Sequence, residues 1–458
     1  MLGWKTGTGL VIANMVGAGV FLSMGFMAQD LGPGQILVVW LVGALLAFAG
    51  VGTYAAAARL VPHSGGEYRY LSNLLHPSVG YLAGWASLLV GFSAPIAVDA
   101  YAVGAFSTTL GFPVDPRVTG AVVIVAVSVM HGLTGRSSRA LQNVLVVVKL
   151  ALIIGFVCVG MAYGDHRFPA WHPPHDTATN ATLFGAFATS LFYVAFAFSG
   201  WNAAAYAAGD FHEPKKHVPR AMLIGCALVA LLYLLLNWVF IANLTPESSA
   251  VVFDYDTAHV TLGHVVAQQI AGDTAATIIS VVIIIAFISA ISAMVFTGPR
   301  VYAAMARDGY LPRTLAAEDK RPPRAALIFQ AGIALVILFA YELQQVLSNV
   351  GAMLMLFSGL VALALFLVPR DKPRAERPGP VALTCAGIYL GATSVLLVIG
   401  FRESLHLVAW VGGICVVGLI AYVISEATRK PQVPVPVRVE AEDVPTLRPE
   451  PVSSDDLG

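Results

Sequence analysis

Two ionisable side chains stand inside long apolar runs of this chain: Asp99 in "SAPIAVDAYAVG" and Lys149 in "VLVVVKLALIIG". Two other apolar runs are interrupted by small and polar residues, "NMVGAGVF" (Asn14 to Phe21) and "FSGWN" (Phe198 to Asn202). A glycine inside a helix costs about 1 kcal/mol relative to alanine, so Gly17 and Gly19 need a reason. If the helix opens there, the half that follows starts near Gly19 and offers free N–H groups to an anion such as a carboxylate. The half that precedes it ends near Met15 and offers carbonyls to a cation such as an ammonium. One break then supplies both poles of a zwitterion. The simpler alternative is that Gly17-Ala18-Gly19 forms only a small-residue packing face. Covalent chemistry has no visible carrier. No phosphate loop, zinc spacing or nucleophile–base pair stands out, and the glycine-rich pieces follow no strand. No catalytic residue, metal or cofactor is expected.

The composition says which elements must hold these residues. Hydrophobic residues make up 57% of the chain and charged residues 11%, against about 25% charged in soluble domains. The expected solvent is a lipid bilayer. A net charge of +0 offers no hint of a nucleic-acid partner. Crossing ~30 Å of hydrocarbon takes about 20 apolar residues. Twelve candidate spans lie near 5–27, 35–60, 80–110, 118–133, 142–163, 182–208, 220–243, 275–300, 325–341, 345–368, 380–401 and 405–425. The first is too long, and too polar at its centre, for a cleavable signal peptide. Beyond Glu426, residues 427–458 are rich in proline and charge and read as a disordered tail. In the longest outer loop, Leu262, Val265, Val266 and Ile270 share a helical face, so a short surface helix is expected there.

The charges orient the spans. With the N-terminus inside, only Arg117, Arg167 and Arg402 fall on outer loops, and only Lys149 falls within a span. Every other Lys and Arg lies on the inner side, as the positive-inside rule requires. Both termini are therefore expected in the cytoplasm and the chain in the cell (inner or plasma) membrane. The four cysteines, Cys158, Cys226, Cys385 and Cys415, lie in apolar runs without metal-ligand spacing. None falls in an outer loop, so no disulfide-linked heavy subunit is expected.

The sixth span, "LFYVAFAFSGWNAAAYAAGD", is interrupted at Ser199-Gly200, with Trp201 and Asn202 following. Spans one and six are corresponding members of two five-helix halves. Paired interruptions at corresponding positions point to a transporter's binding site.

Four motifs in order carry a resemblance. They are "GAGVF" in the first span, "PHSGGEYRYL" (Pro62 to Leu71), "FSGWNAAAYAAGDFHEPKKHVPRA" from the sixth, and "RVYAAMARDGYLP" (Arg300 to Pro312) after the eighth. Across roughly Gly7 to Pro312 the chain resembles the amino acid–polyamine–organocation (APC) permeases, and within them bacterial relatives of the light subunits of L-type amino acid transporters. The resemblance implies an all-α, LeuT-like membrane fold with broken helices one and six. Its first inverted repeat would span 1–163, its second 182–368, and two added helices 380–426. It also implies an α-amino acid site between the breaks. The carboxylate would meet amides around Ala18 and Gly19. The amino group would meet carbonyls near Met15, Phe196 and Ser199, with Val16, Gly17 and Gly200 shaping the site. Phe196 would close over the substrate, with Trp201 beside it, and Asn202 would line the substrate side. Ala18 departs from the family's Ser or Thr, which removes a hydroxyl contact. Glu213 stands where the family has an asparagine.

Lys149 lies about seven residues into the fifth span, roughly 10 Å deep, so snorkelling to the inner face is one reading. The resemblance gives another. A lysine here points at the first break and the eighth helix, near Ser289 and Ser292, and replaces the sodium ion of sodium-coupled relatives. It would then either couple a proton to opening or only steady the break. Asp99 is a hydrogen-bonded structural carboxyl, a proton site, or a counter-charge for a cationic side chain. The expected activity is secondary transport of small neutral amino acids, by exchange or with protons, without sodium. A carrier of cationic amino acids or polyamines is the alternative, and a membrane sensor that binds without transport is the alternative from another class.

Overall fold

In the computed structural model, residues 2–133, 135–166, 168–169, 172, 180–244, 262–316, 324–369, 371, 373 and 376–428 are described. The tail expected to be disordered lies outside them from residue 429 onward, as does most of the longest outer loop. The described residues are helical and contain no sheet. Their one β-bridge joins Leu2 to Phe211.

The helices, in chain order, begin with α1 (Trp4–Met15) and α2 (Ala18–Met27), which together make the first span. Then come α3 (Pro33–Leu60), the short α4 (Glu67–Leu74), α5 (Pro77–Ala86), α6 (Ser93–Thr109), α7 (Pro116–Leu133) and α8 (Gly135–Tyr163). The second half holds α9 (Asn180–Ala197), the single-turn α10 (Ala203–Tyr206), α11 (Pro214–Ala242) and α12 (Leu262–Arg307). It continues with α13 (Arg324–Ala340), α14 (Leu343–Phe366), α15 (Pro380–Glu403) and α16 (Leu405–Thr428). Among the described residues 10 helical segments are long and apolar enough to cross a membrane. The expected spans near 182–208 and 325–341 correspond to shorter apolar helices, Thr182–Ala197 and Arg324–Ala340.

The bundle sorts its faces by solvent. The α1–α2 segment is buried along its length and forms the axis of the molecule. α11 packs on α1 and on α3, α9 packs on α2, and α6 packs on α12. On the periphery, α7 exposes Val118, Val122, Val125 and Val129, and α16 exposes Val416, Ile420, Val423 and Ile424. Rows of exposed aliphatic residues at helical spacing suit contact with lipid chains, not water. The short helix expected in the outer loop is present as the first turns of α12, which kink at Ala271 and Gly272; Leu262 and Val266 are buried there.

Two local features set the site's geometry. α5 and α6 are joined through a π turn, Ser87–Phe92. Pro95 explains it: its ring and missing N–H oppose a regular bond to Gly91, and the wider turn relieves both. Ser93 Oγ then donates to the Leu88 carbonyl at 2.8 Å. At the end of the bundle where α1 begins and α12 ends, polar contacts tie the chain together. Asp308 accepts from Arg69 at 2.8 Å and from the Tyr68 hydroxyl. Burial and the Asp308 charge push the Tyr68 phenol up, so it stays a donor. Arg300 Nε meets Asp210 at 3.0 Å, and the Leu2 amide bonds the Asp210 carbonyl at 2.7 Å.

α6 and α7 approach through Gly104, where an added Cβ would fall 2.5 Å from Pro116 Cα. A leucine there must push backbone away, so Gly104→Leu is expected to cost about 1–3 kcal/mol and several degrees of melting temperature in detergent. An unchanged melting curve would contradict this packing.

Candidate functional site

The first span opens where the small residues are. α1 ends at Met15, the backbone leaves the helix at Val16 (φ −81°, ψ 88°) and Gly17 (φ −132°, ψ −154°), and α2 starts at Ala18. The Ala13, Met15 and Val16 carbonyls and the Ala18 amide lose helical partners inside a buried segment. Each such group costs several kcal/mol if left bare in hydrocarbon.

Three side chains from three other helices meet these groups. Lys149 of α8 is fully buried and donates from Nζ to the carbonyls of Ala13 (3.1 Å) and Val16 (2.7 Å). The Tyr233 hydroxyl of α11 lies 2.6 Å from the Met15 carbonyl and 3.0 Å from that of Ala197, donating to one at a time. Asp99 of α6 accepts the Ala18 N–H on Oδ1 at 2.6 Å. Lysine and tyrosine hold the carbonyl pole; the carboxylate holds the amide pole at the N-terminus of α2.

The second break lies against the first. α9 ends at Ala197, and the chain turns through Phe198–Asn202 before α10. Gly200 has φ +97°, a conformation that favours glycine. An added Cβ at Gly200 would stand 2.8 Å from the carbonyl carbon of Asn14. One at Gly19 would stand 2.5 Å from Ala197 Cα. Each break thus presses a glycine onto the other's backbone.

The residues singled out from the sequence fall in several places. Met15, Val16, Gly17, Ala18, Gly19, Asp99 and Lys149 converge on the first break. Phe196 is buried at the end of α9, and its carbonyl accepts the Ser199 amide at 2.9 Å. Ser199, Gly200, Trp201 and Asn202 instead line a cavity of ≈ 50 Å³ whose walls come from α3, α4, α9, α14 and α15, without α1 or α2. There Asn202 donates to Glu67 Oε1 at 2.6 Å, as does Tyr54 at 2.7 Å. The Trp201 ring packs edge-on to Tyr54, with centroids 4.6 Å apart. Ser292 shares a 2.8 Å hydrogen bond with His131 of α7, and Ser289 is buried on the same helix. Tyr233 and Glu67 were not anticipated. A phenol amid "LVALLYLLLNWVF" was a usable signal, since a buried tyrosine hydroxyl needs a partner. Glu67 sits in the motif "PHSGGEYRYL", between the second and third spans. Among the described residues no cluster of His, Cys, Asp or Glu could hold a metal ion.

Comparison with known proteins agrees with this architecture. The family described as amino acid permease matches residues 2–432. The chain is 27% identical over 412 residues to the large neutral amino acids transporter small subunit 2 of Oryctolagus cuniculus, covering 87% of this chain and 75% of the relative. It is 25% identical over 412 residues to the Asc-type amino acid transporter 1 of Mus musculus, covering 86% and 74%. It is 24% identical over 394 residues to the b(0,+)-type amino acid transporter 1 of the same species, covering 83% and 78%. A match over nearly the whole described bundle, on a scaffold of membrane-length apolar helices, leads to one conclusion: the chain belongs to the amino acid permease family, whose members are transporters, not enzymes.

Proposed function

We propose that this permease carries small neutral amino acids by alternating access, as an exchanger or with protons, and independently of sodium. The reading includes twelve spans in two inverted halves, 1–163 and 182–368, with 380–426 added and both termini in the cytoplasm of a cell-membrane protein. It works without a disulfide-linked heavy subunit; the words small subunit in one relative's name are said of that relative alone. The name of one relative, a large neutral amino acids transporter subunit, supports a neutral substrate.

The observation that carries the reading is Lys149. Its ammonium lies on the Ala13 and Val16 carbonyls, where a monovalent cation would otherwise be needed to gather the same oxygens. A resident ammonium leaves no vacancy for sodium. The substrate's carboxylate is assigned to the amides at Ala18 and Gly19, and its ammonium to the carbonyls of Met15 and the end of α9. Phe196 covers it. Ser289 and Ser292 support Lys149 from α12. Motion follows from packing: the two breaks touch through Gly19 and Gly200, so a ligand that displaces one moves both together. A cationic amino acid or polyamine is the second reading, favoured by the buried acid Asp99 at the same break.

Uptake and counterflow in proteoliposomes test this directly. Alanine and leucine are expected to be carried and lysine and putrescine not; selective transport of the latter two would establish the second reading, and binding without any flux would establish a sensor. Replacing sodium by choline is expected to leave uptake within about twofold, since Lys149 holds the cation place; strict sodium dependence would refute that role. Lys149→Ala bares two buried carbonyls, at about 1–3 kcal/mol for each group left unpaired, and is expected to reduce transport at least tenfold. Gly19→Leu drives a side chain into Ala197 and is expected to weaken binding by more than about a hundredfold. Normal affinity in that variant would remove the site from between the breaks.

A further inference from the structure

The position of Asp99 goes beyond this reading while resting on it. Asp99 is 2% exposed, and its carboxylate accepts the first N–H of α2 at 2.6 Å. That N–H belongs to Ala18, the pole assigned above to the substrate's own carboxylate. The surroundings are shaped for the aspartate. A Cβ on Gly17 would stand 3.0 Å from both Asp99 oxygens, so the missing side chain provides their space. The π turn Ser87–Phe92 sets the angular position from which α6 presents residue 99 to the break. The carbonyl pole is filled at the same time, by Lys149 and Tyr233. In this conformation the Ala13, Met15 and Val16 carbonyls and the Ala18 amide are all partnered by the protein's own side chains.

One amide hydrogen cannot serve two carboxylates at such a distance, and two anions sharing one small buried site repel. We propose that Asp99 is a tethered stand-in for the substrate carboxylate: it fills the anion pole of the first break while the site is empty, and an entering amino acid must displace it. An amino acid then binds with its intrinsic affinity reduced by the cost of that displacement. A primary amine of the same side chain has no carboxylate to compete and keeps Asp99 as its counter-charge. Asp99 is therefore a specificity-determining residue that narrows the gap between amino acids and amines. It also keeps the Ala18 amide partnered while the carrier is empty.

The test is equilibrium binding to the full-length protein in lipid nanodiscs. The probes are alanine and leucine, with ethylamine and isopentylamine as their counterparts lacking the carboxylate. Asp99→Asn keeps the shape and an acceptor but loses the charge; Asp99→Ala loses both. Amino acid affinity is expected to rise about tenfold in Asp99→Asn and further in Asp99→Ala, while amine affinity falls. The sign separates the roles, because a carboxylate that only braced α2 would make amino acid binding weaker when removed. Unchanged or weaker amino acid binding in a monodisperse Asp99→Asn protein overturns the proposal. Gly19→Leu, measured alongside, separates the two levels. If it binds amino acids normally, the broken-helix site itself is wrong. If it does not bind and the Asp99 variants fail to tighten, only the stand-in role fails.

Discussion

A helix that opens in the middle of a membrane must find new partners for the peptide groups it has bared. Hydrocarbon offers none, so the partners must be protein, and they must come from several helices at once. At the first break they are an ammonium from α8, a phenol from α11 and a carboxylate from α6. The rest of the bundle can be seen as scaffolding for that arrangement. It explains why the α1–α2 segment is the most buried span and why α9, α11 and α12 pack around it. It also explains why two charges that would be costly alone are kept at that depth. Their charges are opposite, and each faces the pole of the backbone it complements.

The two breaks depend on each other through contact as well as chemistry. Gly19 lies on the end of α9, and Gly200 lies on the end of α1. Neither can gain a side chain without separating the pair. The turn after α9 has two faces. Its backbone at Gly200 leans on α1, while the side chains of Trp201 and Asn202 reach the other way, into the Tyr54–Glu67 cluster. A shift of the break therefore pulls on α3 and α4 as well as on α1.

Much of this was legible before any coordinates. Twelve apolar stretches could be counted because membrane thickness sets their length, and the long ones reappear as membrane-length helices. Gly17, Gly19 and Gly200 stood out because glycine at mid-depth needs a physical reason. Lys149 stood out because a charge there needs a partner; the family resemblance suggested which break it would meet. Other parts could not be read. Which way Asn202 points depends on the left-handed turn at Gly200, a backbone property with no period to betray it. The pairing of Ser292 with His131 depends on how α7 packs on α12. The Asp99 contact depends on an irregular turn of α5–α6 that Pro95 hinted at but did not locate.

That irregular turn has a meaning of its own. A π turn accommodates one residue more than an α turn, so it rotates everything downstream by about 100° relative to a regular helix. Here it works as an index wheel: it selects which residue of α6 is dealt to the break. The same sequence wound through Ser87–Phe92 as a regular helix would keep its hydrophobicity, yet would turn the acid away and bring its neighbour Val98 toward the same amide. In this architecture the identity of the group facing the substrate can change by slippage in a distant turn, with no substitution in the binding site at all.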